Sequence, residues 1–263
     1  MLSHTFVVLA YKESEYLETC IKSVLNQKFK SNVVISTSTP NEYIDSLAKK
    51  YNLQIIVNPN PGRGIGYDFD FARTCVESDL VTIAHQDDVY DENYSFEVIN
   101  AFKQYPDSSI VFTDYFELRN NKKVYENRNL KIKRLLLKPL NLKKISSLKF
   151  IKRIVLALGD PICCPAVTFG SNNILIDDVF ACNLKCDVDW HAWELLSKQN
   201  GRFLFINKSL MGHRIHEDST TSEIIENNIR TEEDLIILKE FWPEFIAKKI
   251  AKIYAGSEKS NDV

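Results

Sequence analysis

Apolar residues in the first half of this chain recur in two alternating periods. Thr5-Phe6-Val7-Val8-Leu9-Ala10 is an apolar run of strand length, and Ser14 to Asn26 then carries Leu17, Ile21, Val24 and Leu25 at helical spacing. The pair repeats. Val33-Val34-Ile35 reads as a second strand, Asn41 to Tyr51 as a second helix and Leu53-Gln54-Ile55-Ile56-Val57 as a third strand, closed by the loop-forming cluster Asn58-Pro59-Asn60-Pro61-Gly62. Residues 64 to 77 follow as a helix and Leu80-Val81-Thr82-Ile83-Ala84 as a fourth strand. A helix over 93 to 104 and a fifth strand, Ser109-Ile110-Val111-Phe112-Thr113, complete the series. Repeated βα units of this kind predict an α/β fold with a largely parallel sheet and helices on both faces.

The second half is less regular. From Lys131 to Arg153 the sequence KIKRLLLKPLNLKKISSLKFIKR mixes basic and apolar residues without an acid, an amphipathic stretch interrupted at Pro139. Two accounts stand side by side. Either a helix packs its leucines on the core and keeps its lysines in solvent, or the stretch touches an anionic membrane surface peripherally, at the inner face of the membrane. Gly159 to Thr168 reads as turn-rich, Trp190 to Leu196 as an apolar helix and Arg202-Phe203-Leu204-Phe205-Ile206 as a strand. Glu223 to Tyr254 reads as two helices divided by Pro243, either a cover for the main domain or a contact in a homo-oligomer, with the cover expected.

Composition narrows the classes without choosing one. A chain of 263 residues has room for one large core with an appendage. Its formal net charge of -2 argues against a nucleic-acid partner, because neutralising phosphates takes a concentrated basic face. No apolar run reaches membrane-span length, and Met1-Leu2-Ser3-His4 lacks the basic and long apolar regions of a secretory leader, so a cytoplasmic protein is expected. The six cysteines include no Cys-x-x-Cys pair, which favours reduced thiols over disulfides or zinc.

His85-Gln86-Asp87-Asp88 carries the most chemistry. It directly follows the fourth strand, and open α/β sheets bind ligands at the carboxyl ends of their strands. Two adjacent carboxylates repel there unless a cation lies between them or one is protonated. The plainer alternative is a solvated turn that opens the next helix. The wider arrangement resembles the inverting glycosyltransferases of family 2, which have the GT-A fold. Ala10-Tyr11-Lys12-Glu13 stands where that family has a Tyr-Asn-Glu-like turn, and Ser23 to Gln27 stands where its following helix leads to a Gln. Gly64-Ile65-Gly66 through Asp70 to His85-Gln86-Asp87-Asp88 matches without a gap the family's run from Gly-Ile-Ser to its metal motif, Asp-x-Asp-Asp. Asp187-Val188-Asp189-Trp190 looks like its Glu-Asp-Trp helix start, and His213 to Ser219 like its Arg-x-His-Glu-x-Ser segment. Two places depart from the pattern: Ser36-Thr37-Ser38-Thr39-Pro40 replaces Asp-Gly-Ser-Thr-Asp, and His85 replaces the first acid of the metal motif.

The resemblance implies a GT-A, Rossmann-like nucleotide-diphospho-sugar transferase domain over 1–222, with a mixed, mostly parallel sheet, and a helical extension over 223–263. Within it, 1–115 would bind the nucleotide sugar, 131–153 would be the basic amphipathic segment, and 159–220 would hold the acceptor side and the base. Ala10, Tyr11, Glu13 and Ser36 would contact the donor, as would Arg63, Asp68, Gln86 and Arg214. Asp87, Asp88 and His216 would hold Mn2+ or Mg2+. Asp189 would be the general base, with Asp187 as its rival. The implied reaction moves a hexose from a nucleotide sugar, by expectation a UDP-sugar, to a hydroxyl of a glycan, glycolipid or glycoprotein. Rhamnosyl transfer from a dTDP-linked donor is an alternative, because Gln86-Asp87-Asp88 also resembles that subgroup. A noncatalytic nucleotide-sugar or glycan-binding module of the same fold is another.

Overall fold

A computed structural model describes residues 2–215 and 229–258 of the protein. The predicted βα series is present as β1 His4–Ala10, α1 Leu17–Leu25, β2 Asn32–Thr37, α2 Glu42–Tyr51, β3 Gln54–Val57, α3 Ile65–Thr74 and β4 Leu80–His85. A short strand β5, Val89–Tyr90, precedes α4, Tyr94–Gln104, then β6, Ser108–Arg119, and β7, Lys122–Val124. The remainder comprises α5 Arg128–Leu137, α6 Lys149–Leu156, β8 Val167–Gly170, α7 Val188–Lys198, β9 Arg202–Ile215, α8 Ile229–Lys239 and α9 Glu244–Glu258. One sheet takes the order β3-β2-β1-β4-β8-β6-β9-β5, with β7 alongside β6. Neighbours among β1 to β4 are parallel, as are β6 and β9, whereas β8 opposes both β4 and β6, and β5 opposes β9.

Both faces of the sheet are covered. Phe6 and Val8 of β1 share a core with Leu17, Ile44 and Val98 from α1, α2 and α4. Val7, Val81 and Ile83 belong to the opposite core with Phe69, Trp193 and Leu238 from α3, α7 and α8. Burial on both sides is why these strands read as continuous apolar runs instead of alternating ones.

β6 and β9 extend to 12 and 14 residues, well past the apolar stretches that announce them. Their register shifts on either side of Asp114, whose carboxylate accepts hydrogen bonds from Ser209 Oγ at 2.6 Å and Arg134 Nε at 3.0 Å. A bulge thus lets polar side chains continue a buried strand. β8 lies in the segment that reads as turns; there the Tyr90 and Tyr94 hydroxyls donate to the Pro165 and Ala166 carbonyls at 2.6 and 2.9 Å.

Two buried carboxylates shape the approach to α7. Asp70 on α3 accepts the N–H groups of Val179, Phe180 and Ala181 at 3.0, 2.8 and 2.8 Å. α3 can come this close because residue 66 is Gly: a side chain there would run into the Phe180 carbonyl. Glu233 on α8 accepts the N–H groups of Lys185, Cys186 and Asp187 at 2.8, 2.7 and 3.1 Å. The C-terminal helices, divided at Pro243 as predicted, therefore cover the main sheet domain. The expected boundary at 222/223 lies outside the described residues.

His4 is buried at the start of β1, with Nδ1 2.7 Å from Ser31 Oγ and Nε2 2.8 Å from Thr82 Oγ1. Burial lowers its pKa from 6.5 to about 3. Between those limits the unfolded chain binds more protons at this site than the folded one, so stability falls as pH drops below 6.5. Denaturant titrations should show a loss of up to about 1.4 kcal/mol per pH unit from this group, and His4→Gln should flatten the slope. An unchanged slope in the variant would remove His4 from the account.

Candidate active site

β4 delivers His85 to Asp88 to the carboxyl edge of the sheet, beside the ends of β1 and β2. Gln86 reaches across to the end of β1. Its Oε1 accepts the Tyr11 N–H at 2.9 Å, and its Nε2 donates to the Tyr11 carbonyl at 3.1 Å. The Gln86 side-chain amide thereby holds the Tyr11 backbone on both sides, Ala10 is buried, and the Tyr11 ring is left exposed. Lys12 adopts a left-handed φ of 52° and donates its N–H to Thr39 Oγ1 at 2.6 Å; Glu13, next to it, is exposed. Asp68 ties β2 to β3, accepting from Ser38 Oγ at 2.9 Å and Asn58 Nδ2 at 2.7 Å. Ser36 is 1% exposed, and its buried hydroxyl makes no hydrogen bond among the described residues. The Arg63 guanidinium lies 3.9 Å from the Tyr67 ring centroid, in a depression of about 280 Å³ that Asn58, Asn60 and Asp178 also line. Asp87, Asp88 and Asp189 do not line it.

The two strand-end acids have different surroundings. Asp88 is fully buried; its Oδ1 accepts the Arg214 N–H at 2.8 Å and lies 3.1 Å from His213 Nδ1. Arg214 then reaches back, donating from Nε to the Asp87 carbonyl at 2.8 Å and from Nη1 to Asn121 Oδ1 at 2.8 Å, with its guanidinium 4.3 Å from the Tyr16 ring centroid. β9 therefore clamps the loop that follows β4, and Asp87 sits half-buried within it. Burial alone would lower the pKa of His213, but the adjacent Asp88 outweighs it and raises the value. His85 goes the other way. Burial lowers its pKa against the charges of Asp88, Asp87 and Asp189; its Nε2 has no partner among the described residues, and its ring stacks on Phe69 at 5.0 Å.

Asp189 lies in the first turn of α7, where its Oδ1 accepts the Trp190 N–H at 2.9 Å. The Trp190 indole is buried and donates to the Leu156 carbonyl at 3.2 Å, which fixes this turn against α6. Asp160, in the turn after α6, forms a carboxyl pair with Asp189. Burial and the Asp189 charge raise the pKa of Asp160 far above the carboxylate range, so Asp160 is held protonated beside Asp189. Lys133 of α5 opposes that shift and also acts on His213. Neither Asp160 nor Lys133 stands out in the sequence. The available signal for Asp160 was a lone acid in an otherwise apolar turn; Lys133 is hidden in a basic run. Asp187 is the residue preceding α7, yet its side chain makes no capping hydrogen bond. Burial and the neighbouring Asp234 of α8 raise its pKa to about 10, so its side chain is a protonated group within the packing and does not cap the helix.

His216 lies outside the described residues. Among those described, no three His, Cys, Asp or Glu side chains are grouped to enclose a metal. Mg2+ and Mn2+ nonetheless suit a loop that offers one or two carboxylates and leaves the rest of the shell to phosphate oxygens of a ligand. Asp87 fits that role, whereas Asp88 is engaged with β9.

The mixed, mostly parallel sheet flanked by helices has the architecture of the GT-A fold. The family model described as Glycosyl transferase family 2 matches residues 5–178, more than half of the chain, and the chain belongs to that family. Asp189, His213 and Arg214 lie beyond the matched segment. No curated protein matches the chain by sequence. Among solved structures, S. aureus TarS 1–349 in complex with UDP-GlcNAc is 15% identical with a TM-score of 0.64, over 99% of this chain and 73% of that one. Another S. aureus TarS structure gives 15% identity and a TM-score of 0.57, over 95% of this chain and 42% of that one. Glucosyl-3-phosphoglycerate synthase from Mycobacterium tuberculosis, in complex with Mn2+, UDP-glucose and phosphoglyceric acid, is 11% identical with a TM-score of 0.56, over 91% of this chain and 79% of that one.

Proposed function

We propose that this family 2 glycosyltransferase is a cytoplasmic, metal-dependent, inverting enzyme that moves a hexose from a UDP-sugar to a hydroxyl of a growing glycan, free or carried on lipid or protein. The observation that carries the reading is the placement of Asp87 and Asp88 at the carboxyl end of β4, where Arg214 of β9 holds the loop that bears them. The UDP-sugar and Mn2+ held by structures of the same fold support the choice of donor and metal.

In this reading the donor lies over the ends of β1 and β4, its nucleotide toward Tyr11 and its diphosphate toward Asp87. Asp189 takes the proton from the acceptor hydroxyl as that oxygen attacks the anomeric carbon. The bond from that carbon to the diphosphate oxygen breaks, the nucleoside diphosphate leaves with the electron pair, and the new glycosidic bond forms on the opposite face. Asp160 holds a proton and donates it in a hydrogen bond to Asp189, which orients that carboxylate. A divalent cation at Asp87, with His216 as a further expected ligand, would offset the charge that gathers on the leaving diphosphate.

A second reading, a noncatalytic module of the same fold, is favoured by Ser36 and His85, which stand where the family has acids. Incubation with Mn2+, glycan acceptors and a panel of UDP- and dTDP-sugars separates the readings. One donor should raise the Tm and release its nucleotide. Release from a dTDP-linked rhamnose donor alone would move the assignment to rhamnosyl transfer. A donor that raises the Tm with no release from any member of the panel would favour the binding module.

A further inference from the structure

From α5 through α6 the amphipathic order is only partly kept: Leu137, Leu140, Val155 and Leu156 are buried, but some basic side chains also turn inward and several large apolar ones turn outward. Lys152 is buried, and its ammonium donates to the Gln199 and Gly201 carbonyls at 2.8 and 2.9 Å, beyond the end of α7. Arg153 pairs with the buried Glu194 at 2.6 Å, and the Lys133 ammonium lies 5.6 Å from the Tyr115 ring centroid. Meanwhile Phe150, Ile154 and Leu158 are exposed at one-turn intervals along α6 and just past it, and Leu135 on α5 and Leu142 and Leu148 in the connection to α6 are exposed as well, Phe150 by 71% and Leu142 by 63%. No other stretch of similar length among the described residues exposes as many large apolar side chains. Isolated exposed leucines need no explanation; a concentration of them does.

The charge around this face selects the occupant. Lys138, Lys144 and Lys149 are exposed between the apolar residues and have no acidic partner among the described residues, and no acid occurs from Lys131 to Arg153. A second copy of the chain packed symmetrically on this face would set lysine against lysine with no carboxylate to meet them. A surface that is acidic in its polar layer and apolar just beneath satisfies both sets of side chains. No helix among the described residues is long and apolar enough to cross a membrane, so such contact is peripheral.

We infer that the α5–α6 face docks on an anionic lipid bilayer, its apolar side chains entering the interface and its lysines meeting headgroup phosphates. Leu158 and Asp160 follow directly on the end of α6, so the docked face adjoins the Asp160–Asp189 carboxyl pair. On the transfer reading above, the acceptor class this favours is a sugar hydroxyl carried on a lipid.

Vesicle flotation of the full chain tests the inference without donor or acceptor, so its outcome is separate from that of the donor panel. Binding should occur to phosphatidylglycerol-containing vesicles, fall with added salt and be weak on pure phosphatidylcholine. Leu142→Ser combined with Phe150→Ser should lower partition by roughly tenfold or more. Replacement of Lys138, Lys144 and Lys149 by Gln should cost about fivefold per lysine. Because these side chains are exposed, the Tm should stay unchanged in both variants. No binding of the unaltered chain at low salt, or equal binding by the variants, would overturn the inference. So would a dimer in sedimentation that Phe150→Ser dissociates, since the face would then be a contact between copies.

Discussion

Asp189→Asn is expected to retain nucleotide-sugar affinity and to lose roughly 10² to 10⁴ in kcat, the usual worth of a general base. The asparagine oxygen can still accept the Trp190 N–H that Asp189 accepts at 2.9 Å, so the first turn of α7 stays in place. What disappears is the group that takes the acceptor proton, and raising the donor concentration should not restore the rate. Asp187→Asn is the control. That side chain is buried beside Asp234 with its pKa raised to about 10, so a neutral amide reproduces its ordinary charge state and turnover should be close to normal. Asp160→Asn keeps a hydrogen-bond donor facing Asp189 and should cost less than loss of the base. Calorimetric donor binding with steady-state kinetics checks all three. A dead Asp187→Asn beside an active Asp189→Asn would move the base to the other carboxylate.

Asp87→Ala should lower donor cleavage by at least about 10² to 10³, the scale on which loss of charge stabilisation at a leaving group is felt. The half-saturating Mn2+ concentration should rise, with little change in Tm. Asp88→Ala should behave differently. It strands the buried Arg214 N–H and removes the neighbour of His213, so a stability loss of about 1 to 3 kcal/mol is expected whatever the metal concentration. Melting curves and metal titrations of both variants distinguish a ligand from a clamp. A folded Asp87→Ala protein with near-normal turnover at ordinary metal concentration would sink the metal assignment.

The βα series of the first half was legible because each element is announced by its own local apolar period, to within a few residues of its ends. β8 was not, since four residues beyond Pro165 become a strand only by pairing with β4 and β6 from elsewhere in the chain. The same separation hid the working arrangement of the acids. Asp87-Asp88 reads as a symmetrical pair, and only the return of β9, with Arg214 donating to Asp88, makes one acid internal. Family resemblance pointed to Tyr11 and Gln86 as donor contacts but could not reveal that their backbone and amide groups hold each other. Lys133, Lys152 and Arg153 read as members of one basic run, and tertiary packing gives each a different inward partner.

If Asp189 is the base proposed above, the three N–H groups held by Glu233 tie the rate of transfer to a part of the chain that lies past the matched family segment. On that reading relatives could exchange their tails freely as far as donor recognition is concerned, because none of the proposed donor contacts among the described residues lies on α8. They could not do so without resetting the pitch of α7 and with it the aim of the Asp189 carboxylate. Divergence in the tail would then surface as altered turnover at unaltered affinity, a route by which an enzyme can be retuned from behind its own active site.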